Sequence, residues 1–281
     1  MLKNAMTVDV EDYFQVSAFE GLVRREEWSR IPHRVEASVD RILRLFSDRG
    51  VNATFFALGW LAERYPSMIR CIVAEGHELA SHGWSHVRAI HQTANQFRND
   101  VGRTKSLLED IGGCPVIGYR APSYSIGESN LWALNVLEEI GYRYSSSIYP
   151  IRHDLYGMPK APRFRFHPAE APGLLEVPVT TMLLGRHRVP CGGGGYFRLF
   201  PYPFSRWAMR SVNRREAQSC VFYFHPWEID PGQPRQSGIS FKTRFRHYLN
   251  LGVMEARIGR LLQDFQWGRM DEIFLVERGL T

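Results

Sequence analysis

Two histidines four residues apart, His82 and His86, sit in the stretch Gly76-His77-Glu78-Leu79-Ala80-Ser81-His82-Gly83-Trp84-Ser85-His86. An acidic cluster near the N-terminus, Asp9-Val10-Glu11-Asp12, supplies a carboxylate partner. Two imidazoles and one carboxylate, with a coordination position left open, suit a divalent metal that activates water. If the histidine segment is helical, the His-x-x-x-His spacing puts both rings on one face. The chain has ten histidines, so this spacing also arises by chance, and the plain alternative is a pair of surface histidines. In an extended strand, alternate residues point the same way, so Glu11 shares a face with Asp9. Asp12 reaches the same place only if the backbone turns or bulges, and otherwise it caps the turn. Both carboxylates stay open as ligands.

These residues need elements to position them. Residues 5–10 read as a buried strand ending in the acidic cluster. A helix follows over 35–48, with Val35, Ile42, Leu43, Leu45 and Phe46 on one side. Strands are expected at 53–57, 78–81, 117–119, 142–144, 174–179 and 220–224. Helices are expected from just after 57 through 61, and at 66–75, 93–111, 130–140 and 204–214. A long helical region spans 241–265, and 272–274 reads as the last strand. Residues 151–168, rich in Pro, Arg and His, read as a long ordered loop. This β-α alternation predicts a mostly parallel sheet with helices outside it, open or closed into a barrel. Asp9, Glu11, His82, Arg120 and His225 all fall at or just beyond strand C-termini, the face that carries the site in such barrels.

Composition agrees with one folded unit. At 281 residues, 44% hydrophobic and 13% aromatic, the chain can bury one sizeable core, and no linker divides it. The formal charge of +6 is modest and dispersed, and the densest basic run, 206–215, reads as a solvated helix face rather than a nucleic-acid patch. Cys71, Cys114, Cys191 and Cys220 form no CxxC pair or disulfide framework and read as free thiols. No apolar run approaches a membrane span, and no signal-peptide pattern opens the chain, so a soluble cytoplasmic protein is expected.

Five blocks in order resemble the polysaccharide deacetylases of the NodB-homology type, carbohydrate esterase family 4. They are Thr7-Val8-Asp9-Val10-Glu11-Asp12, where the family has Thr-Phe-Asp-Asp-Gly; Ser81-His82 through His86, preceded by Ala53-Thr54-Phe55-Phe56 and Gly76-His77-Glu78; Arg120-Ala121-Pro122-Ser123; Leu175-Glu176-Val177-Pro178; and Phe222-Tyr223-Phe224-His225-Pro226. The opening Asp-Val-Glu-Asp-Tyr-Phe, the loop Gly192-Gly193-Gly194-Gly195-Tyr196-Phe197-Arg198 and His225-Pro226-Trp227-Glu228 resemble the subgroup associated with exosortase and exopolysaccharide gene clusters, related to allantoinase-like and peptidoglycan deacetylases.

The resemblance implies a distorted (β/α) barrel as a single domain over 1–281, with a C-terminal helical extension from about 238. It implies metal-dependent removal of N-acetyl groups from N-acetylhexosamine units of an exopolysaccharide or its precursor, most simply with Zn²⁺. Asp9 would be the base, His82 and His86 metal ligands with Glu11 or Asp12, and His225 the acid. Arg120 would orient Asp9 by a charge-assisted pair. Tyr124, Tyr196 and Trp227 would contact substrate, the rings of Tyr196 and Trp227 offering stacking faces. Tyr119 would also flank the cleft, the glycine run would let backbone approach substrate, and an oxyanion donor would come from backbone N–H near Tyr124. His77, His91, His153, His167 and His187 match no block and read as structural or exposed. A carbohydrate is the expected partner, with no nucleic acid. The rival readings are a cyclic-amide hydrolase of the allantoinase type and a non-catalytic carbohydrate-binding member of the fold. Oligomeric state is not legible.

Overall fold

The computed structural model describes residues 2–154 and 156–275. Its strands are β1 (Lys3–Val10), β2 (Thr54–Ala57), β3 (Glu78–Ser81), β4 (Gly118–Tyr119), β5 (Tyr144–Ser145), β6 (Leu175–Glu176), β7 (Thr181–Leu184), β8 (His187–Pro190), β9 (Val221–Phe224) and β10 (Gln266–Gly268). Its helices are α1 (Val35–Ser47), α2 (Gly59–Arg64), α3 (Pro66–Ala74), α4 (Ala94–Gly112), α5 (Trp132–Ile140), α6 (Gly194–Leu199), α7 (Tyr202–Arg215), α8 (Phe241–Tyr248), α9 (Leu251–Asp264) and α10 (Met270–Phe274).

The strand called β1 is buried along nearly all its length, so it sits at the middle of the sheet. Its later residues pair with β2 and its first residues with β10, while β9 pairs along Ala5–Val8. From β2 the sheet continues through β3, β4 and β5 to β6, and every pairing in it is parallel. Among the described residues β6 and β9 do not pair. Thr180, whose hydroxyl accepts from the Val221 N–H at 2.6 Å, and Gly193, which bridges Tyr223, bring chain into that opening. The result is a distorted, incompletely closed α/β barrel: the parallel sheet that the β-α alternation predicts, in the form that the family resemblance implies. Helices cover it by the usual amphipathic logic: α1 turns Val35, Val39, Ile42, Leu43 and Phe46 inward.

Parallel strands in register put their C-termini at one edge. Ala57 lies beside Ser81, Ser81 beside Tyr119, Tyr119 beside Ser145, and Val8 beside Phe224. The next residues along each strand therefore gather at that edge: Asp9, His82, Arg120, Ser146 and His225.

Several expectations change. The helical region 241–265 is two helices, broken at Asn250, whose φ is +54°. The buried Arg198 guanidinium donates to the carbonyls of His247 (3.0 Å) and Leu249 (2.7 Å), so the end of α8 has its orphan acceptors satisfied without continuing the helix. Residues 272–274 are helical, in α10. The last strand among the described residues is instead Gln266–Gly268, which returns to pair beside β1, so the C-terminal segment contributes a strand to the barrel. The β7–β8 hairpin and α6 were not expected at all.

Candidate active site

The site is built on the end of β1. Strand alternation sends Val10 into the core and turns Asp9 and Glu11 together toward the strand ends, where both line a cavity of about 430 Å³. Asp9 is buried and accepts a 2.6 Å bond from Arg120 Nη1. Arg120 follows β4 directly and has no exposed surface. It also donates to the Thr7 hydroxyl (2.7 Å), the Ser146 hydroxyl (3.0 Å) and the Ser146 carbonyl (3.2 Å), and its guanidinium lies 4.1 Å from the Phe56 ring centroid. A buried cation with this many partners is rigid, so Arg120 holds one Asp9 oxygen in place.

Glu11, His82 and His86 converge. His82 Nε2 lies 3.1 Å and His86 Nε2 2.9 Å from Glu11 Oε1, and one donor atom from each residue lies within 4.8 Å of the others. The convergence is not helical. His82 follows β3 directly, and His86 reaches back through a turn in which its own φ is +55°. That turn is braced from outside: Asp100 accepts from the Trp84 N–H (3.0 Å), and Arg25 donates to the carbonyls of Ser85 (2.8 Å) and His86 (3.3 Å). His82 Nδ1 lies 2.8 Å from the Arg120 carbonyl, which fixes it as the protonated nitrogen and leaves Nε2 as the donor atom. Burial alone would raise the Glu11 carboxyl, but the charges of His86 and His225 and hydrogen bonds from His82 and His86 outweigh it and hold the group well below the usual carboxylate range. Once both Nε2 atoms give up their protons, two imidazoles beside an ionised carboxylate, buried with one side open to a cleft, are the donor set that a divalent ion such as Zn²⁺ takes.

Asp12 does not join them. One of its oxygens accepts from the Tyr13 N–H, and the other accepts from Arg34 (2.8 Å) and Val35 (3.1 Å) at the start of α1. The backbone bends after Glu11 and turns Asp12 away to cap a helix, so of the two carboxylates only Glu11 faces the histidines.

His225 follows β9 and brings Nε2 to 3.8 Å from Glu11 Oε1. Its Nδ1 is 2.8 Å from Glu228 Oε1, and the other Glu228 oxygen is bound by Arg198 Nε at 2.6 Å, all three side chains being largely or fully buried. Burial would raise the Glu228 carboxyl, but Arg198 and His225 outweigh it and hold it at about 2. Burial would likewise lower His225, but Glu11, Glu228 and Asp9 outweigh it and push the ring up to about 9. An imidazolium held by a carboxylate, with its free N–H aimed at the cleft, is a proton donor. Neither Glu228 nor Arg198 was singled out from sequence. The only local signal was the i,i+3 spacing of His225 and Glu228.

The ring contacts differ from expectation. Trp227 lines the cleft but is 7% exposed, with its ring nearly parallel to His225 (5.2 Å) and to His247 (4.2 Å). Tyr196 is not among the cleft-lining residues and stacks on Phe200 at 6.2 Å. Tyr119 is buried in the core, where its ring meets Phe97 edge-on. Tyr124 does line the cleft, as do Tyr156, Tyr223 and His153, which the sequence had set aside. The Tyr124 N–H donates to the Ala121 carbonyl (3.0 Å). The glycine run approaches protein rather than substrate: a Cβ at Gly193 would stand 2.8 Å from the Tyr223 ring, and one at Gly194 2.3 Å from Glu228 Oε1. Five non-glycine residues among those described have positive φ, and three of them, His86, Ser123 and Tyr124, line this cleft. Strain of that kind collects where a site over-determines its backbone.

The strand ends of this barrel thus gather two imidazoles beside one carboxylate, a second carboxylate held by an arginine, and a third histidine, an arrangement suited to metal-assisted hydrolysis. Residues 30–145 match the polysaccharide deacetylase family, and residues 146–275 match a domain of unknown function, DUF3473. The chain is 32% identical over 113 residues to a peptidoglycan deacetylase of Helicobacter pylori, covering 40% of this chain and 38% of that one. It is 33% identical over 94 residues to a peptidoglycan-N-acetylglucosamine deacetylase of Bacillus cereus, covering 33% and 34%. The matched segment thus spans just over a third of these relatives. The fold extends further: a provisionally assigned polysaccharide deacetylase from Mycobacterium smegmatis superposes with a TM-score of 0.64 at 20% identity over 97% of this chain and 88% of that one. The Puue allantoinase superposes with a TM-score of 0.61 at 17% identity over the same shares. No helix among the described residues is long and apolar enough to cross a membrane.

Proposed function

We propose that this protein is a metal-dependent N-deacetylase acting on N-acetylhexosamine units of an exopolysaccharide or its precursor. The observation that carries the reading is the buried Glu11, His82 and His86 cluster opening on the cleft that Asp9 and His225 also line. A divalent ion held there, most simply Zn²⁺, supplies a Lewis acid for the amide oxygen and lowers the pKa of water. Asp9, oriented by Arg120, takes the proton from the water that adds to the amide carbon. His225, oriented by Glu228, gives a proton to the nitrogen as the C–N bond breaks, leaving acetate and a free amine. The cleft wall of Tyr124, Tyr156 and Tyr223 gives the sugar a largely aromatic surface.

The test is acetate release from a panel of N-acetylated oligosaccharides, with allantoin as a cyclic amide control, before and after chelation. The reading expects release from at least one glycan, abolished by chelator and restored by added Zn²⁺. Hydrolysis of allantoin alone, or chelator-insensitive turnover, would overturn it.

A further inference from the structure

Between Asp230 and Glu255 the chain carries no carboxylate side chain but has Arg235, Lys242, Arg244 and Arg246. Helix α8 lies in this stretch and forms one lip of the cleft, which Thr243, Arg246 and His247 line. Residues four apart share a helix face. The inward face holds Thr243 and the buried His247. Beside it runs a cationic stripe, Lys242 and Arg246, whose side chains are 65% and 49% exposed. Next to that runs an aromatic stripe, Phe241 and Phe245, 83% and 47% exposed.

The counter-charge is Asp154, which takes Lys242 Nζ at 2.7 Å and Arg246 Nη1 at 3.3 Å. One carboxylate against two cations leaves the mouth of the cleft positive. Guanidinium and ammonium groups beside exposed phenyl rings match a sugar that carries a carboxylate: the anion meets the cations, and the C–H face of the ring meets Phe. Since Arg246 lines the cavity itself, whatever it binds is continuous with what reacts. Two phenyl rings on an eight-residue helix make a stripe narrower than the apolar faces with which amphipathic helices enter a bilayer.

We propose that the α8 lip, through Lys242, Arg246 and the Phe241–Phe245 stripe, is a binding subsite for an acidic sugar next to the N-acetylhexosamine in the cleft, so that the substrate is an acidic polysaccharide. The inference rests on the deacetylase reading for its cleft occupant, but its own test is binding. The probes are a hyaluronan tetrasaccharide, alternating N-acetylglucosamine and glucuronate, and the same tetrasaccharide with its carboxyls reduced to alcohols. Their affinities for the full chain are measured by calorimetry, with acetate release followed in parallel.

The acidic form is expected to bind about fivefold tighter, the scale of a partly exposed charge pair. In Lys242→Ala/Arg246→Ala that preference should vanish. Arg246→Lys should keep part of it. Arg244→Ala, which removes the same charge from another face of α8, should keep all of it, with melting curves reporting the fold of each variant. Equal affinity for the two sugars, or a preference that survives the double variant, overturns the subsite whether or not acetate appears. A charge preference that disappears as expected, with no acetate from any N-acetylated glycan, supports the subsite and overturns the deacetylase reading. Sedimentation with phosphatidylglycerol vesicles that is lost in Phe241→Ala/Phe245→Ala, without glycan binding, reassigns the lip to a membrane surface and overturns the proposal.

Discussion

Asp9, Glu11 and Asp12 are three carboxylates within four residues, and their surroundings divide the work. Asp9 faces Arg120, Glu11 faces two imidazoles, and Asp12 faces backbone N–H groups. Asp9→Asn keeps the shape of the site and all three donor groups. It should retain the metal by elemental analysis while turnover falls about 10²–10⁴-fold, the range of a general base. Full activity in that variant would move the base elsewhere. Glu11→Gln should lose the metal. Asp12→Ala should keep metal stoichiometry at the wild-type value and lose about 1–2 kcal/mol of stability, the cost of a helix cap, read by urea denaturation. Loss of metal in Asp12→Ala with fold retained would return Asp12 to the ligand set.

At the scale of elements, the start of α6 sits against the segment that follows β9. Gly194 leaves the space that Glu228 fills, and Glu228 holds both Arg198 and His225. Arg198 in turn ends α8. A methyl group at Gly194 therefore meets Glu228 first, at 2.3 Å from Oε1. Gly194→Ala is expected to cost about 1–3 kcal/mol, as overpacking does. It should also reduce kcat more than KM, because His225 loses its orienting partner. Gly195→Ala, whose Cβ meets nothing within 4 Å, is the matched control and should change neither. If the two variants behave alike, the glycine run is not what positions the acid.

The molecule as a whole buries histidines that stay neutral. Burial, and the nearby charge of Arg269, push His77 down to about 4. Its Nδ1 accepts from the Ala53 N–H at 3.1 Å, and its ring lies on Phe55. The unfolded chain titrates this ring near 6.5, so between about 6.5 and 4 the unfolded state holds more protons than the folded one. Stability from His77 is therefore present above 6.5 and lost as pH falls toward 4, at up to about 1.4 kcal/mol per pH unit. His77→Asn can keep an acceptor for Ala53 without titrating. Its unfolding free energy should fall less steeply than that of wild type across this window. Parallel curves for the two proteins would show that His77 is charged in the folded state.

Much of this protein follows from short-range pattern. The alternate facing of Asp9, Val10 and Glu11, the β-α alternation, and the placement of His82, Arg120 and His225 after apolar strands all depend on neighbours a few residues away, and alternation along the chain expresses them directly. What the tertiary structure decided depends on partners distant in sequence. Glu11 prevails over Asp12 because α1 starts where it needs a cap. His86 meets His82 through a braced turn, not a helix face, because Asp100 and Arg25 hold the loop from elsewhere. Trp227 stacks within the cleft wall because His247 arrives beside it. The helix from 241 breaks because Arg198 takes the carbonyls at its end, and the last strand falls at 266–268, where β1 has an open edge for its first residues. Each of these is a hydrogen bond or a packing contact between segments tens to hundreds of residues apart, and no local period or spacing encodes which segment will be the neighbour.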